Sequence, residues 1–450
     1  MRQPQTPPVF SDLAKTALRN ERFDAILTAA RSTESSGRYY HWDKLRHLVT
    51  PGGLNHEEWW AGIKLLRMSA LKEIPLSDKL GKPFQYSVPD FVARQLHEID
   101  LGAGGAIGMP DPIINPQTRN QYVVRSLIQE AITSSQLEGA ATTRREAKEM
   151  IRSGRQPRDK SERMILNNYK TMQRILKWKD RALDEGLLLE IHTAMTIDTL
   201  DDPDGVGRFR RSGESVTVQD VITGEVFHDP PPANELGRRL AAMYFFANET
   251  NAARFVHPVI RAILLHFSLA YDHPFVDGNG RTARALFYWA MLRHGYWLFE
   301  FISISEILVE APAKYARSFL YSETDDNDAT YFLSYQAHVI ARAIQHLHEY
   351  IGQKTEELHE TELLMRQTRV FNHRQQALLT HAIRHPGTRY TIDGHRRSHG
   401  VAYDTARNDL LQLKSEQFLE MKRQGRTFVF LPPHDLEKRV KHGCSKRAGR

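Results

Sequence analysis

The sequence predicts a mainly α-helical protein with one small β hairpin ahead of its central motif and a winged helix-turn-helix at its C-terminal end. Three observations lead there. Apolar residues recur at helical spacing over residues 257–271 and again over about 281–294. Short β-branched runs, Val216-Thr217-Val218 and Val226-Phe227-His228, flank a turn at Ile222-Thr223-Gly224-Glu225, which is the pattern of a hairpin. Charge changes sharply near the end: 18 Lys and Arg stand against 7 Asp and Glu from Arg366 onward, and 43 against 47 before it. That break marks a separate basic module.

A chain of 450 residues should hold two or three domains. Residues 1–118 read as a helical region, with a helix over His56–Lys72 that turns Trp59, Ile63, Leu66 and Ala70 inward. Residues 119–350 form the helical core and contain the hairpin. Pro230-Pro231-Pro232 ends the second strand, and a helix follows from about Asn234. Residues 366–433 supply a helix over Gln375–Arg384, a short strand at Tyr390–Ile392 and a helix after Gly400 carrying Leu410, Leu411 and Leu413. Phe418–Met421 and Thr427–Phe430 then flank a basic turn, Lys422-Arg423-Gln424-Gly425-Arg426. Residues 434–450 are a basic tail, of which Lys438 to Arg450 reads as disordered, being polar and terminal.

The densest chemistry lies in His273-Pro274-Phe275-Val276-Asp277-Gly278-Asn279-Gly280-Arg281-Thr282-Ala283-Arg284. Flanking periodicities make it helix, tight glycine loop, then a second helix beginning near Gly280. A helix start offers unpaired N–H groups and partial positive charge, which suits an anion. Gly278 and Gly280 can take positive φ and let backbone approach a phosphate. Asn279 adds a side-chain amide to that cradle, and Arg281 and Arg284, three apart, can reach the same anion. Asp277 is a hard oxygen ligand suited to magnesium. His273, titrating near neutrality, can accept a proton from an attacking hydroxyl.

These twelve positions resemble the Fic family signature, His-x-Phe-x-(Asp/Glu)-Gly-Asn-Gly-Arg-x-x-Arg, at every fixed position. The resemblance implies a Fic-type helical core that transfers AMP from ATP, with Mg2+, to a Ser, Thr or Tyr hydroxyl of a protein. The target would be another protein or the chain itself. It makes His273 the base and Asp277 the metal ligand. Asn279 and the loop amides would hold the α and β phosphates, Arg281 the β phosphate and Arg284 the γ phosphate, while Phe275 anchors the loop in the core. The related Doc branch, a group of kinases, has lysine where this chain has Gly280, so nucleotidyl transfer is favoured. A tyrosine pair often lines the family's adenine pocket. Here Tyr315 alone stands in that stretch, and transfer of UMP or GMP stays open beside AMP.

A second segment, Ser134-Ser135-Gln136-Leu137-Glu138-Gly139, puts Ser134 and Glu138 on one helix face before a glycine stop. It resembles the inhibitory motif of Fic proteins, (Ser/Thr)-x-x-x-Glu-(Gly/Asn), placed before the catalytic motif. Glu138 would then pair with Arg284 and take the γ-phosphate position. The same carboxylate could instead orient a water that removes AMP from a modified protein. The hairpin stands where the family carries its flap, which docks the target segment by strand addition.

Two readings compete for the basic module. As a DNA reader, Tyr403, Arg407 and Asn408 would face the major groove while Lys422, Arg423 and Arg426 contact phosphates. A regulator of that kind would use the core to sense ATP without turnover. Otherwise the module serves protein contact, including contact within a homodimer. A single cysteine, Cys444, excludes an intramolecular disulfide framework and a cysteine-rich zinc site, as expected in a cytoplasmic protein. Met1–Lys15 lacks the apolar stretch of a signal peptide, and no apolar run approaches the roughly 20 residues of a membrane span. No Gly-x4-Gly-Lys-(Ser/Thr) loop, His-Glu-x-x-His pair or internal repeat is present, and the glycines at 102–108 miss the dinucleotide spacing.

Overall fold

The computed structural model describes the chain except residues 1, 19–20, 105–115, 215, 220–223, 250–254, 369, 386, 425–426, 434 and 449–450. The described residues are mainly helical, with three two-stranded antiparallel hairpins and no larger sheet. They fall into two compact units, residues 1–105 with 126–344, and residues 106–125 with 345–450. The long helix Thr330–Thr368 therefore contributes to both, and the second unit begins earlier than the charge break at 366.

In the first unit, the helix His56–Ala70 starts at a capping box in which Asn55 and Glu58 satisfy each other's backbone N–H groups. Its buried face carries Trp59, Trp60 and Ile63, but also Lys64 and Arg67, whereas Ala70 is exposed. The inward stripe is thus partly charged. Lys64 pairs with Asp325 at 2.7 Å and Arg67 with Glu34 at 2.8 Å. Arg67 also donates to the Tyr331 hydroxyl at 2.9 Å, so paired charges bind this layer to the core around residues 325–331. The region is not wholly helical. Lys72–Ser77 pairs with Pro83–Tyr86, where buried Ile74, Leu76, Phe84 and Tyr86 alternate with more exposed residues.

The core is built on two helices, Pro258–Asp272 and Asn279–Arg293, which pack along each other with Val259, Ile263, Leu264, Phe267, Leu286 and Phe287 fully buried. Proline at the first position and His257 as N-cap start the former. The predicted hairpin is present, but its first strand begins at Val218, with Val218–Gln219 pairing to Val226–His228. Ile222 and Thr223 of its turn lie outside the described residues. After the prolines, the helix Leu236–Asn248 follows a short 3-10 turn at Ala233–Glu235. No described helix is long and apolar enough to cross a membrane.

In the second unit, helices His373–Arg384, Ile392–His399 and Tyr403–Ser415 precede the hairpin Glu420–Gln424 and Thr427–Leu431. The strand expected at Tyr390–Ile392 reduces to one residue, Tyr390, which exchanges backbone hydrogen bonds with Phe430, and Ile392 opens a helix. Phe418 and Leu419 are buried before the hairpin begins. Gly400, at φ 62°, turns one helix into the next. Buried Asp409 accepts from Arg374, Asn372 and His395 and ties the three helices together. The tail corrects the expectation of disorder: Leu436–Ala448 is a helix that buries Leu436, Val440 and Cys444 in this core.

Candidate active site

The candidate site lies where the helix Pro258–Asp272 gives way to the helix Asn279–Arg293. His273 ends the first helix in the left-handed region, at φ 46° and ψ 54°. A non-glycine residue there costs on the order of 1 kcal/mol and persists only when its surroundings enforce it. Arg210 does so: its Nε donates to the His273 carbonyl at 2.8 Å, and its guanidinium also reaches the carbonyls of Pro231 and Asp272. The Arg210 N–H donates to the Pro274 carbonyl at 2.9 Å. Asp272 is itself buried against Arg239, 2.8 Å from its Nε.

The imidazole of His273 is oriented as well. Nδ1 lies 3.0 Å from the Ala270 carbonyl, an acceptor only, so Nδ1 carries the proton and Nε2 keeps a lone pair. Burial lowers the His273 pKa, with Arg210 and His228 adding to the effect, while the Ala270 bond and Glu138 oppose it.

The loop is fastened from inside. Phe275 is fully buried and stacks on His192 with ring centroids 3.7 Å apart. His192 accepts from the Gly207 N–H at Nδ1 and so donates from Nε2 to the Asp277 carbonyl, 3.0 Å away. Burial pushes the His192 pKa down to about 4, keeping it neutral in that role. Gly278 has φ 80°, as expected, and a Cβ there would lie 2.5 Å from Thr196. Gly280 is different: its backbone is helical, and its need for glycine is steric, because a Cβ would meet Glu138 Oε1 at 2.1 Å.

Asn279 also departs from expectation. Its Oδ1 accepts from the Phe275 N–H at 3.0 Å and its Nδ2 donates to the Phe275 carbonyl at 2.8 Å, with the side chain buried. The amide closes the loop instead of adding to an anion cradle. Asp277 stays about half exposed at the loop tip, its Oδ2 4.0 Å from Arg281. Among the described residues no group of three His, Cys, Asp or Glu could hold a metal alone. One open carboxylate does fit magnesium that arrives on phosphates, since that ion is commonly bound through one or two carboxylates plus phosphate oxygens.

The two arginines are in unlike states. Arg281 is buried and donates from Nη1 to the Met195 carbonyl at 3.1 Å, but its Nε has no acceptor. Burial lowers its pKa, and Glu138 and Asp277 offset that only in part. A buried guanidinium short of acceptors is a site for an anion. Arg284 is fully engaged. Its Nε donates to Ser134 Oγ at 2.8 Å, and Nη2 donates to the Ser134 carbonyl at 2.8 Å and to Glu138 Oε1 at 2.9 Å.

Ser134 lies in the helix Pro116–Leu137 and Glu138 directly follows it, where the helix ends in a Schellman motif: Ala140 N–H bonds the Ser135 carbonyl, Gly139 N–H bonds the Gln136 carbonyl, and Gly139 has φ 88°. Burial disfavours the Glu138 charge, but Arg284 and Arg281 outweigh it and hold the carboxyl below its ordinary pKa. A carboxylate at a helix C-terminus opposes the helix dipole, so Glu138 depends on those arginines to stay there. Its oxygen lies at the N-terminus of the facing helix, where an anion is favoured. Tyr315 stands beside this pair, its hydroxyl 2.7 Å from His266 Nε2 and its pKa pushed up to about 12 by burial.

Fold and site together define a helical domain with a glycine loop at a helix start. A family model described as Fic/DOC family matches residues 182–291. Over 109 residues the chain is 35% identical to the protein adenylyltransferase Fic of Drosophila virilis, and equally to that of Drosophila melanogaster. Those matches cover 24% of this chain and 20% of the relatives, so the chain spans about a fifth of the length of the curated proteins it matches. The fold is also that of a crystallised Fic family protein from Desulfovibrio desulfuricans G20, at a TM-score of 0.50 and 20% identity, covering 75% of this chain and 95% of that one. Residues 182–291 thus match the Fic/DOC family, within a chain whose fold resembles that of a Fic family protein.

Proposed function

We propose that the chain is a protein adenylyltransferase held in check by its own Glu138. The observation that carries this reading is the Glu138 carboxylate lodged at the start of the helix Asn279–Arg293 and paired with Arg284 at 2.9 Å. An anionic side chain there occupies a place suited to a terminal phosphate. A hundredfold inhibition needs only about 2.7 kcal/mol of differential binding. With Glu138 withdrawn, Arg284 would take the γ phosphate and Arg281 the β phosphate, beside the N–H groups of the helix start. Magnesium bound by Asp277 would neutralise part of the phosphate charge.

His273 Nε2 would take the proton of a Ser, Thr or Tyr hydroxyl on the target. The oxygen then attacks the α phosphorus, the bond to the bridging oxygen breaks, and pyrophosphate leaves. A positioned base contributes roughly 10²–10⁴ to such a rate. The target segment would lie along the hairpin Val218–His228, where Val218 and Val226 are exposed and strand addition could fix its register. Tyr315 is the proposed neighbour of the base.

The test is transfer of label from α-labelled ATP with magnesium, onto the chain itself and onto lysate proteins. Glu138→Gly should label strongly, wild type weakly, and Glu138→Gly/His273→Ala not at all. No labelling by a Glu138→Gly variant that binds ATP would sink the transferase reading. Loss of label from pre-modified protein by wild type would instead indicate the hydrolase.

The second unit supports a separate reading as a nucleic-acid module. Tyr403, Arg407 and Asn408 are exposed together on the second helix of its helix-turn-helix, and Lys422 and Arg423 on its hairpin. Arg426 lies outside the described residues.

A further inference from the structure

The helix that carries Ser134 and leads into Glu138 has a third polar residue on the same face, Glu130, four residues before Ser134. Glu130 is 2% exposed and its carboxylate is surrounded by donors. Ser303 Oγ donates at 2.8 Å, the Ser305 N–H at 3.1 Å and the Ser305 hydroxyl at 2.5 Å. The fourth donor is the Tyr288 hydroxyl, at 2.9 Å. Hydrogen bonds to a carboxylate are roughly twice as strong as neutral ones, and four on one buried group fix its place closely.

The contacts of this helix fall in a ladder. Glu130 meets Tyr288, Ser134 and Glu138 meet Arg284, and Glu138 faces Gly280. One set rises by four as the other falls by four, so the two helices run in opposite senses with one register. Glu130 closes the far end of that ladder, on backbone and side chains of residues 303–305 that belong to neither helix.

We infer that Glu130 is a positioning residue for inhibition: its buried carboxylate pins the register of the helix that delivers Glu138 to Arg284. The inference rests on the autoinhibited-transferase reading for its functional consequence, though not for its structural one. Glutamine at 130 would keep the shape but present an amide where donors converge, leaving hydroxyl and N–H groups opposed. The helix would then lose its fixed register, and Glu138, disfavoured at a helix C-terminus, would leave Arg284 more often.

The experiment uses the full chain with Glu130→Gln, and Ser305→Ala as a second variant that weakens the same cluster from the other side. Hydrogen exchange is read over residues 131–138, and labelling from α-labelled ATP in parallel. Expected for Glu130→Gln are faster exchange there and labelling raised about tenfold over wild type, the worth of one charge-assisted hydrogen bond. Ser305→Ala should move both readouts the same way, more weakly. Glu130→Gln/Glu138→Gly should label as strongly as Glu138→Gly and no more. Unchanged exchange at 131–138 in both variants overturns the pin. So does Glu130→Gln labelling no higher than wild type while Glu138→Gly labels strongly, or a double variant that labels less than Glu138→Gly, which marks a merely structural role. If Glu138→Gly labels nothing, adenylyl transfer fails as a function, and the exchange data still decide the pin.

Discussion

At His273 the backbone, the tautomer and the titration act in one direction. Its αL conformation is held by Arg210, its Nδ1 proton by Ala270, and burial disfavours its cationic form. A base must be neutral to act, and a lowered pKa keeps it neutral at more acid pH. Around it, Arg210 and His228 lower the pKa further and Glu138 raises it, so removing Glu138 removes the principal opposing charge. The acid limb of the pH profile of kcat/KM for labelling by Glu138→Gly should therefore fall below 6.5, the ordinary histidine value. A limb at or above 6.5 would mean that another group is the base or that His273 is open to water in the working state. Much at this scale was legible from the twelve-residue motif, because residue types declare their chemistry. What the motif could not declare is which donors the loop itself consumes. Asn279 has the right amide and uses both ends on Phe275, and Gly280 is constrained by a side chain 142 positions earlier in the chain. His192 and Arg210 hold the loop without any spacing that sets them apart from an ordinary core histidine or a solvated arginine.

Elements followed apolar periodicity where it was strong. The helices flanking the motif lie within two residues of the expected bounds, since their buried faces repeat with little polar interruption. Two elements escaped for different reasons. The hairpin of Lys72–Tyr86 has short strands with only two inward residues each, too few to outweigh the helical pattern before it. The tail helix hides its stripe among polar residues: Leu436, Val440 and Cys444 are spaced by four, but Glu437, Lys438, Arg439, Lys441 and His442 stand between them. A carboxylate placed at the centre of that stripe would be buried without a partner. Val440→Asp should destabilise the second unit by about 3 kcal/mol or more. The change is visible as early proteolysis within 371–448 while the first unit stays resistant. Equal resistance in wild type and variant would show that the tail helix adds nothing to that core.

Across the whole molecule, charge is divided between a core that is slightly acidic and a C-terminal stretch that is strongly basic. A basic surface by itself only raises affinity for polyanions, so the two readings of the second unit separate on how binding responds to salt and to individual side chains. Phosphate contacts release counterions, and each one steepens the fall of affinity with salt by about 0.9 on a log–log scale. If the unit reads DNA, the full chain should retain duplex DNA with a steep salt slope. Lys422→Ala should then lower affinity for all sequences alike and reduce the slope by about 1. Arg407→Ala, on the exposed face of Tyr403–Ser415, should instead cost about 1–3 kcal/mol on a preferred site and narrow its margin over unrelated duplexes. Titrations by fluorescence anisotropy at several salt concentrations distinguish these effects. Retention that is independent of salt, or that neither substitution alters, would assign the module to protein contact.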